Sequence, residues 1–348
     1  MKNLIKNARI KKGIKTRELA QELEIDQALI SKFENGSRNP TKAQVAKIAV
    51  FLDIDYETLM VAWLKEKILL EIGNDSFAIK AMSMVQEEAS NYYITDKKYS
   101  KNLIEILEEI DELKTKLDKF RQFDSYRIVQ ALELEYTFES NRIEGNTMTL
   151  RETDLVINEG LTISGKSMKE HLEVINHQEA IEYIKYLMGN RTKIIERELL
   201  SIHNLILRGI LPEDAGRYRK VQVMIKGSTY MPPQPFLVSK EMEDYFVWYE
   251  INKNKLHPVI LAAEMHEKLV TIHPFIDGNG RTSRLIMNLI LLQNGYVIAN
   301  IKGDYDSRMQ YYNSLEVAQT QHNKNDFLVF IANIEKQSLE RYLTIIGQ

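Results

Sequence analysis

The sequence predicts a mainly α-helical protein with a five-helix N-terminal domain at residues 1–64, a helical connector at 65–97 and an all-α core at 98–348. The chain has 348 residues, which is more than one domain of ordinary size. Apolar residues recur at helical spacing through most of it. One short segment, residues 221–226, instead alternates apolar and polar side chains, so the core should carry one small β-hairpin.

Composition excludes several classes of protein. The chain has no cysteine, so it forms no disulfide and has neither a thiolate metal site nor a cysteine nucleophile. No apolar run reaches the roughly 20 residues that a membrane span needs, and the N-terminus has no apolar leader segment. We therefore expect a cytoplasmic protein without a membrane partner.

The first 60 residues show start and stop signals for a series of short helices. Residues 2–12 form one amphipathic stretch, and Asp26 is placed to cap a helix over 27–35 that Gly36 ends. A further helix opens at Thr41 and continues to residue 52. The apolar positions are those that a helix-turn-helix core requires: Leu19, Ala20, Leu23, Ile25, Ile30 and Phe33.

This end of the chain resembles the phage-repressor, XRE-like helix-turn-helix family in the strings at residues 16–23 and 30–40. Residues 1–60 hold 11 lysines and arginines against 8 acidic residues, whereas the whole chain has net charge −3. The resemblance implies that the second helix of the motif enters the major groove of double-stranded DNA, and that the protein binds as a homodimer. It assigns base or phosphate contacts to Gln27, Ala28, Ser31 and Lys32, and a backbone contact to Arg38. A helical protein-interaction module is the alternative.

A heptad-like pattern follows the connector. Its apolar residues alternate spacings of three and four: Leu103, Ile106, Ile110, Leu113, Leu117 and Phe120. The pattern covers too few heptads to decide between a dimeric coiled coil and a helix that packs on the C-terminal core.

Residues 140–146, Ser-Asn-Arg-Ile-Glu-Gly-Asn, follow a stretch rich in helix formers. Ser140 and Glu144 are four residues apart and share one helix face, and Gly145 is a suitable residue to end the helix. We predict a helix over about 125–146.

The most informative stretch is residues 273–284, His-Pro-Phe-Ile-Asp-Gly-Asn-Gly-Arg-Thr-Ser-Arg. Gly278 and Gly280 allow backbone N–H groups to approach an anion, and the apolar helix that follows points its N-terminus at the same place. Arg281 and Arg284 in its first turn are unfavourable there unless an anion binds, and their forks suit phosphate. The stretch predicts a polyphosphate site.

Two further side chains in the stretch suit metal binding and proton transfer. Asp277 suits a Mg²⁺ held between phosphates. His273 is the natural general base, since its ordinary pKa lies nearest neutrality.

The stretch resembles the Fic signature, His-Pro-Phe-x-Asp/Glu-Gly-Asn-Gly-Arg-x-x-Arg, at every defined position, and the resemblance covers roughly residues 98–345 with a catalytic core at about 195–300. It implies that AMP passes from ATP to a hydroxyl of a target protein. His273 is then the base, Asp277 the Mg²⁺ ligand, and Asn279 with the Gly278–Gly280 backbone a cradle for phosphates. Arg281 and Arg284 hold the β- and γ-phosphates.

The same resemblance assigns three other regions. The 140–146 string is similar to the family's inhibitory motif, in which Glu144 pairs with Arg284. The predicted hairpin is similar to the flap that docks the target by strand addition, through Val221, Val223, Met224 and Ile225. Tyr312 and Gln319 are expected at the adenine, although many relatives have Asn where Gln319 stands.

These features lead us to expect an autoinhibited protein adenylyltransferase that modifies a Tyr, Thr or Ser hydroxyl of a target protein or of itself, coupled to DNA binding. Three alternatives stay open. The C-terminal domain could serve as a nucleotide sensor for a transcriptional regulator, it could remove AMP from a modified protein, or it could transfer UMP or phosphate.

Overall fold

The computed structural model describes residues 1–73, 77, 78, 82, 99–120 and 126–347. The chain divides into two compact units, Met1–Lys98 and Tyr99–Gln348. In the described residues the secondary structure is helical throughout, which confirms the predicted class. No helix in this described part is both long and apolar enough to cross a membrane.

The N-terminal unit contains the five predicted helices. They are α1 Lys2–Lys11, α2 Thr16–Glu22, α3 Gln27–Asn35, α4 Lys42–Leu52 and α5 Tyr56–Ile72. The Asp26 carboxylate accepts from the Ala28 N–H at 2.6 Å, so it caps α3 as predicted. Gly36 ends that helix at φ +79°, a conformation that glycine adopts without strain. The predicted core residues Leu19, Ile30 and Phe33 are fully buried.

The C-terminal unit consists of ten helices within the described residues. They are α6 Lys101–Phe120, α7 Tyr126–Ile143, α8 Leu150–Glu159, α9 Met168–Gly189, α10 Glu196–Leu207, α11 Pro235–Asn252, α12 Pro258–Ile272, α13 Asn279–Gln293, α14 Tyr305–Thr320 and α15 Asn325–Ile345. One apolar cluster joins most of them.

Helices α12 and α13 lie at the centre of that cluster. Side chains from Asn279 to Leu291 are buried on almost the whole circumference of α13, as its apolar sequence predicts. Burying a Leu, Ile or Met side chain contributes about 1.5–3 kcal/mol. The loop that joins α12 to α13 carries residues 273–278, so the candidate site is built on the most firmly packed pair of helices.

Helix α6 packs against α15. Its residues Leu103, Ile110 and Leu117 have no exposed surface and belong to the core of this unit. The heptad-like face is therefore used within the chain, which decides between the two interpretations of that pattern in favour of packing on the core.

The predicted β-hairpin at 221–226 is wrong, because no strand is present anywhere in the described residues. The turn itself forms at Gly227, where the Ser228 N–H donates to the Ile225 carbonyl at 3.2 Å. The returning arm contains Pro232 and Pro233, which have no N–H to give to a ladder. An isolated hairpin is in any case marginal without further strands.

Candidate active site

His273 ends α12 in the left-handed conformation, at φ +50°. This backbone geometry turns the ring out of the helix. Its Nδ1 lies 3.2 Å from the Val270 carbonyl, which fixes the proton on Nδ1 and leaves the Nε2 lone pair as the acceptor. Burial lowers the pKa of His273 from its ordinary value, so the imidazole is neutral at pH 7 and able to take a proton.

Asn279 holds the loop between His273 and α13. Its Oδ1 accepts from the Phe275 N–H and its Nδ2 donates to the Phe275 carbonyl, both at 3.0 Å. Both ends of the amide are thus engaged with one loop residue. The side chain acts on the shape of the loop, and only the backbone N–H groups at this helix terminus face an anion.

The two arginines of the first turn of α13 are almost completely buried. Arg281 is 2% exposed and Arg284 is 1% exposed. Even so, Nε and Nη1 of Arg281 and Nη1 of Arg284 have no hydrogen-bond partner in the described part of the chain. Buried N–H donors of this kind are costly unless a ligand satisfies them. The arrangement therefore suits oxygen atoms of an anion.

Glu144 contacts one of these two arginines. Arg284 Nη2 donates to Glu144 Oε1 at 2.7 Å, while Arg284 also donates from Nε to Ser140 Oγ and from Nη2 to the Ser140 carbonyl, each at 3.0 Å. A Cβ on Gly280 would lie only 2.4 Å from Glu144 Oε1. Glycine at 280 is thus what allows the carboxylate to reach the N-terminus of α13.

The helix that delivers Glu144 ends as predicted. Helix α7 stops at Ile143, and Gly145 takes φ +96° while its N–H donates to the Arg142 carbonyl. Glu144 therefore sits in the terminal turn, one residue beyond the helix, with its side chain 29% exposed.

Glu173 and Asn146 form a second group around the arginines that the sequence did not reveal. Arg281 Nη1 lies 3.4 Å from Glu173 Oε1, and Arg281 Nη2 lies 3.6 Å from Asp277 Oδ1. Asn146 Nδ2 donates to Glu173 Oε2 at 3.0 Å. The segment that carries Glu144 therefore contacts Arg284 directly and approaches Arg281 through Asn146 and Glu173.

His203 on α10 supports the loop from the other side. Its ring stacks on Phe275 with centroids 3.6 Å apart. The Gly216 N–H donates to Nδ1 at 3.0 Å, so the proton is on Nε2, which lies 2.9 Å from the Asp277 carbonyl. Burial lowers the pKa of His203 to about 4, and the neutral form that this bonding needs is maintained.

Arg219 joins residues 217–233, called the flap below, to the base. Its backbone N–H donates to the Pro274 carbonyl at 2.9 Å, and its Nε donates to the His273 carbonyl at 2.8 Å. Its Nη1 and Nη2 donate to the carbonyls of Val221 and Pro233 at 3.0 and 2.6 Å. A single buried guanidinium therefore holds both arms of the flap against the loop at residues 273–278.

The predicted metal ligand Asp277 is partly exposed, with its side chain 38% accessible. No group of three or more His, Cys, Asp or Glu side chains that could hold a metal occurs in the described part of the chain. Mg²⁺ is commonly held by one or two carboxylates, substrate phosphates and water. A lone carboxylate beside an anion site fits that ion.

The remaining predicted residues lie on the flap and on α14. Met224 and Val221 are exposed, while Val223 and Ile225 are half-buried. The Tyr312 hydroxyl donates to the Ile143 carbonyl at 3.1 Å, which places this residue beside the end of α7. Gln319, two turns further along α14, is buried.

Comparison with known proteins identifies both units. Residues 193–291 match the model of the Fic/DOC family, and residues 5–59 match a helix-turn-helix model. The chain carries a Fic domain and a helix-turn-helix domain. The Fic signature at 273–284 lies inside the first match, whereas Ser140 and Glu144 lie outside it.

Two curated relatives show how far the similarity of the Fic domain extends. The protein adenylyltransferase Fic of Nematostella vectensis is 36% identical over 245 residues, which are 69% of this chain and 56% of that protein. The protein of the same name from Culex quinquefasciatus is 36% identical over 255 residues, covering 68% of this chain and 49% of that protein. The chain thus spans about half the length of these relatives.

Solved structures agree with the fold. A Fic family protein from Desulfovibrio desulfuricans aligns with a TM-score of 0.63 at 26% identity, over 74% of this chain and 78% of its own. Fic-1 of C. elegans, residues 134–508, also gives 0.63 at 23% identity, over 95% and 96%.

The helix-turn-helix domain exposes the residues predicted to contact DNA, four of them on α3 and Arg38 beyond its end. Ile30 and Phe33 of that helix are buried, whereas five predicted residues are exposed: Gln27, Ala28, Ser31, Lys32 and Arg38. Gln27 also donates from Nε2 to the Thr16 hydroxyl at 3.0 Å, which links α3 to α2.

Arg219, His203 and Glu173 were not found from the sequence. Their local sequence is ordinary: Arg219 comes just before an alternating run, and His203 and Glu173 lie within helices. Only the tertiary structure brings them to the Fic loop. No pattern of spacing along the chain gives such a signal.

Proposed function

We propose that this protein is an autoinhibited adenylyltransferase that transfers AMP from ATP to a Tyr, Thr or Ser hydroxyl of a protein. The observation that carries the proposal is the contact between Glu144 and Arg284 over Gly280, beside a neutral His273. A carboxylate occupies the place where buried arginine donors and a helix N-terminus favour a phosphate. The similarity to protein adenylyltransferases of Nematostella vectensis and Culex quinquefasciatus supports the same reaction.

In this reaction the hydroxyl oxygen of the target attacks the α-phosphorus of ATP, and the bond from that phosphorus to the α,β-bridging oxygen breaks. Pyrophosphate leaves with the electron pair. His273 Nε2 accepts the hydroxyl proton, since Nδ1 is engaged with Val270. Mg²⁺, which Asp277 would help to hold, would neutralise charge on the phosphates.

The arginines place the nucleotide. Arg281 and Arg284 offer unpartnered N–H groups to the β- and γ-phosphates, so that the α-phosphate faces His273. With Glu144 on Arg284, the γ-phosphate cannot bind in this way, because the carboxylate fills the space above Gly280 beside the Arg284 guanidinium. The resting protein is therefore held in a low-activity state until Glu144 moves.

A labelling experiment tests the proposal. Wild type, Glu144→Gly and the double variant Glu144→Gly/His273→Ala are incubated with α-labelled ATP, Mg²⁺ and cell lysate. We expect label on protein with Glu144→Gly only. If none of the three labels protein while all bind ATP, the nucleotide-sensing alternative replaces this one.

We propose further that the helix-turn-helix domain binds double-stranded DNA as a homodimer and that the chain regulates transcription. The support is its family match, the exposed polar face of α3 and the positive charge of residues 1–60. A gel shift with the promoter of its own gene should show tighter binding than to random DNA. Equal affinity for both would rule out autoregulation.

A further inference from the structure

The flap differs in charge from the rest of the chain. Residues 217–233 contain four lysines and arginines and no Asp or Glu, although the chain as a whole has net charge −3. Arg219 is buried and used internally, whereas Arg217, Lys220 and Lys226 are exposed. None of these three forms an ion pair within the described part of the chain.

A carboxylate from another helix reaches the tip of the flap, and it is already engaged. Glu316 of α14 accepts from the N–H and the hydroxyl of Thr229 at 2.9 and 2.8 Å, and from the Ser228 hydroxyl at 3.4 Å. These bonds lower the pKa of Glu316. The contact fixes the tip of the flap and leaves the charge of Lys220 and Lys226 uncompensated.

The flap and the first turn of the helix that follows it also expose large apolar side chains. Met224 is 76% exposed and Phe236, at the start of α11, is 80% exposed. Val221 and Met231 are each more than half exposed. Methionines adapt to partners of different shape, and exposed aromatic residues are common anchors of interfaces.

The backbone between these side chains is open to a partner. Within the described residues, no N–H of residues 221–226 donates to another part of the chain. An extended peptide could use these groups for strand addition. Since Arg219 bonds to the His273 carbonyl, a peptide laid along the flap passes close to the base.

We propose that the flap selects target segments in which acidic and large apolar residues flank the modified hydroxyl. This inference rests on the proposed function. Lys220 and Lys226 attract the carboxylates of the target, and Met224 and Phe236 receive its apolar side chains. A basic or purely polar segment would meet repulsion or leave these apolar side chains in water.

Peptide competition tests this selection. The Glu144→Gly variant receives α-labelled ATP and three peptides with one central threonine, flanked by Ile and Glu, by Ile and Lys, or by Ser and Glu. We expect kcat/KM for the Ile/Glu peptide to exceed that for the Ile/Lys peptide by about tenfold or more, less at high salt. Substituting Ser for Met224 should lower the advantage of Ile/Glu over Ser/Glu.

Charge reversal on the protein gives the decisive control. In the Glu144→Gly background, Lys220→Glu/Lys226→Glu should reverse the preference to the Ile/Lys peptide, whereas Lys193→Glu, an exposed lysine outside the flap, should not. Equal use of the peptides overturns the inference, and so does label on no peptide when the same Glu144→Gly variant labels proteins in cell lysate. If nothing is labelled at all, the proposed function itself fails.

Discussion

The substitution Glu144→Gln removes the charge of the carboxylate that we propose to be inhibitory, while keeping its shape. The bond at stake joins Arg284 Nη2 to Glu144 Oε1 at 2.7 Å, with Arg284 buried and Glu144 29% exposed. A hydrogen bond to a charged group contributes about 1.5–3 kcal/mol and a neutral one about 0.5–1.5 kcal/mol, so the change should weaken the contact by about 1–2 kcal/mol. The competent fraction should then rise about 5- to 30-fold.

The rate of transfer from α-labelled ATP measures this effect under conditions where product grows linearly with time. Glu144→Gly should be faster than Glu144→Gln, because it removes the obstruction above Gly280 as well as the charge. Glu135→Gln on the same helix, which pairs with Arg341, is the matched control and should match wild type. A Gln variant no faster than wild type would refute the view that this ion pair restrains the enzyme.

The other predictions concern the base, the loop, pH and DNA. His273→Ala in the Glu144→Gly background should abolish transfer yet keep ATP affinity by calorimetry, because it removes a base and no phosphate contact; lost ATP binding would contradict that role. Asn279→Ala leaves the buried N–H and carbonyl of Phe275 without hydrogen-bond partners. The free energy of unfolding, measured by thermal denaturation, should therefore fall by about 2–5 kcal/mol. Transfer should fall as the pH drops through the pKa of His273, which burial places below its ordinary value, since protonation removes the base. The free energy of unfolding should also fall as the pH drops from 6.5 to 4. In this range unfolded His203 binds a proton, whereas folded His203, with a pKa of about 4, does not. A free energy of unfolding that does not change between pH 6.5 and 4 would contradict this. Lys32→Ala should weaken DNA binding and lower its salt slope by about 1 without changing transfer.

The sequence predicted local structure where a local cause determines it. Asp26 caps α3 and Gly36 ends it because each acts on its own neighbours in the chain. The burial of α13 was predictable for a similar reason, because a helix that is apolar on almost all sides has no polar face to expose to water. Ser140 and Glu144 were found because a specific string marks them, and both contact Arg284.

Features that depend on distant partners were not predictable in this way. The alternating pattern at 221–226 suits a hairpin, but Arg219 and the prolines of the returning arm replace the ladder with side-chain bonds. The apolar face of α6 was compatible with either a partner chain or α15 until the tertiary structure placed it. Glu173 likewise becomes significant only through Arg281.

The most direct test of the central claim compares two positions of label in ATP. Purified Glu144→Gly with lysate is given ATP labelled at the α-phosphate or at the γ-phosphate, with wild type alongside. If the enzyme transfers AMP and Glu144 restrains it, protein should carry label only when the ATP is labelled at the α-phosphate. Wild type should then give much less labelled protein than Glu144→Gly. Label from the γ position, or equal α-label with wild type and variant, would contradict the account.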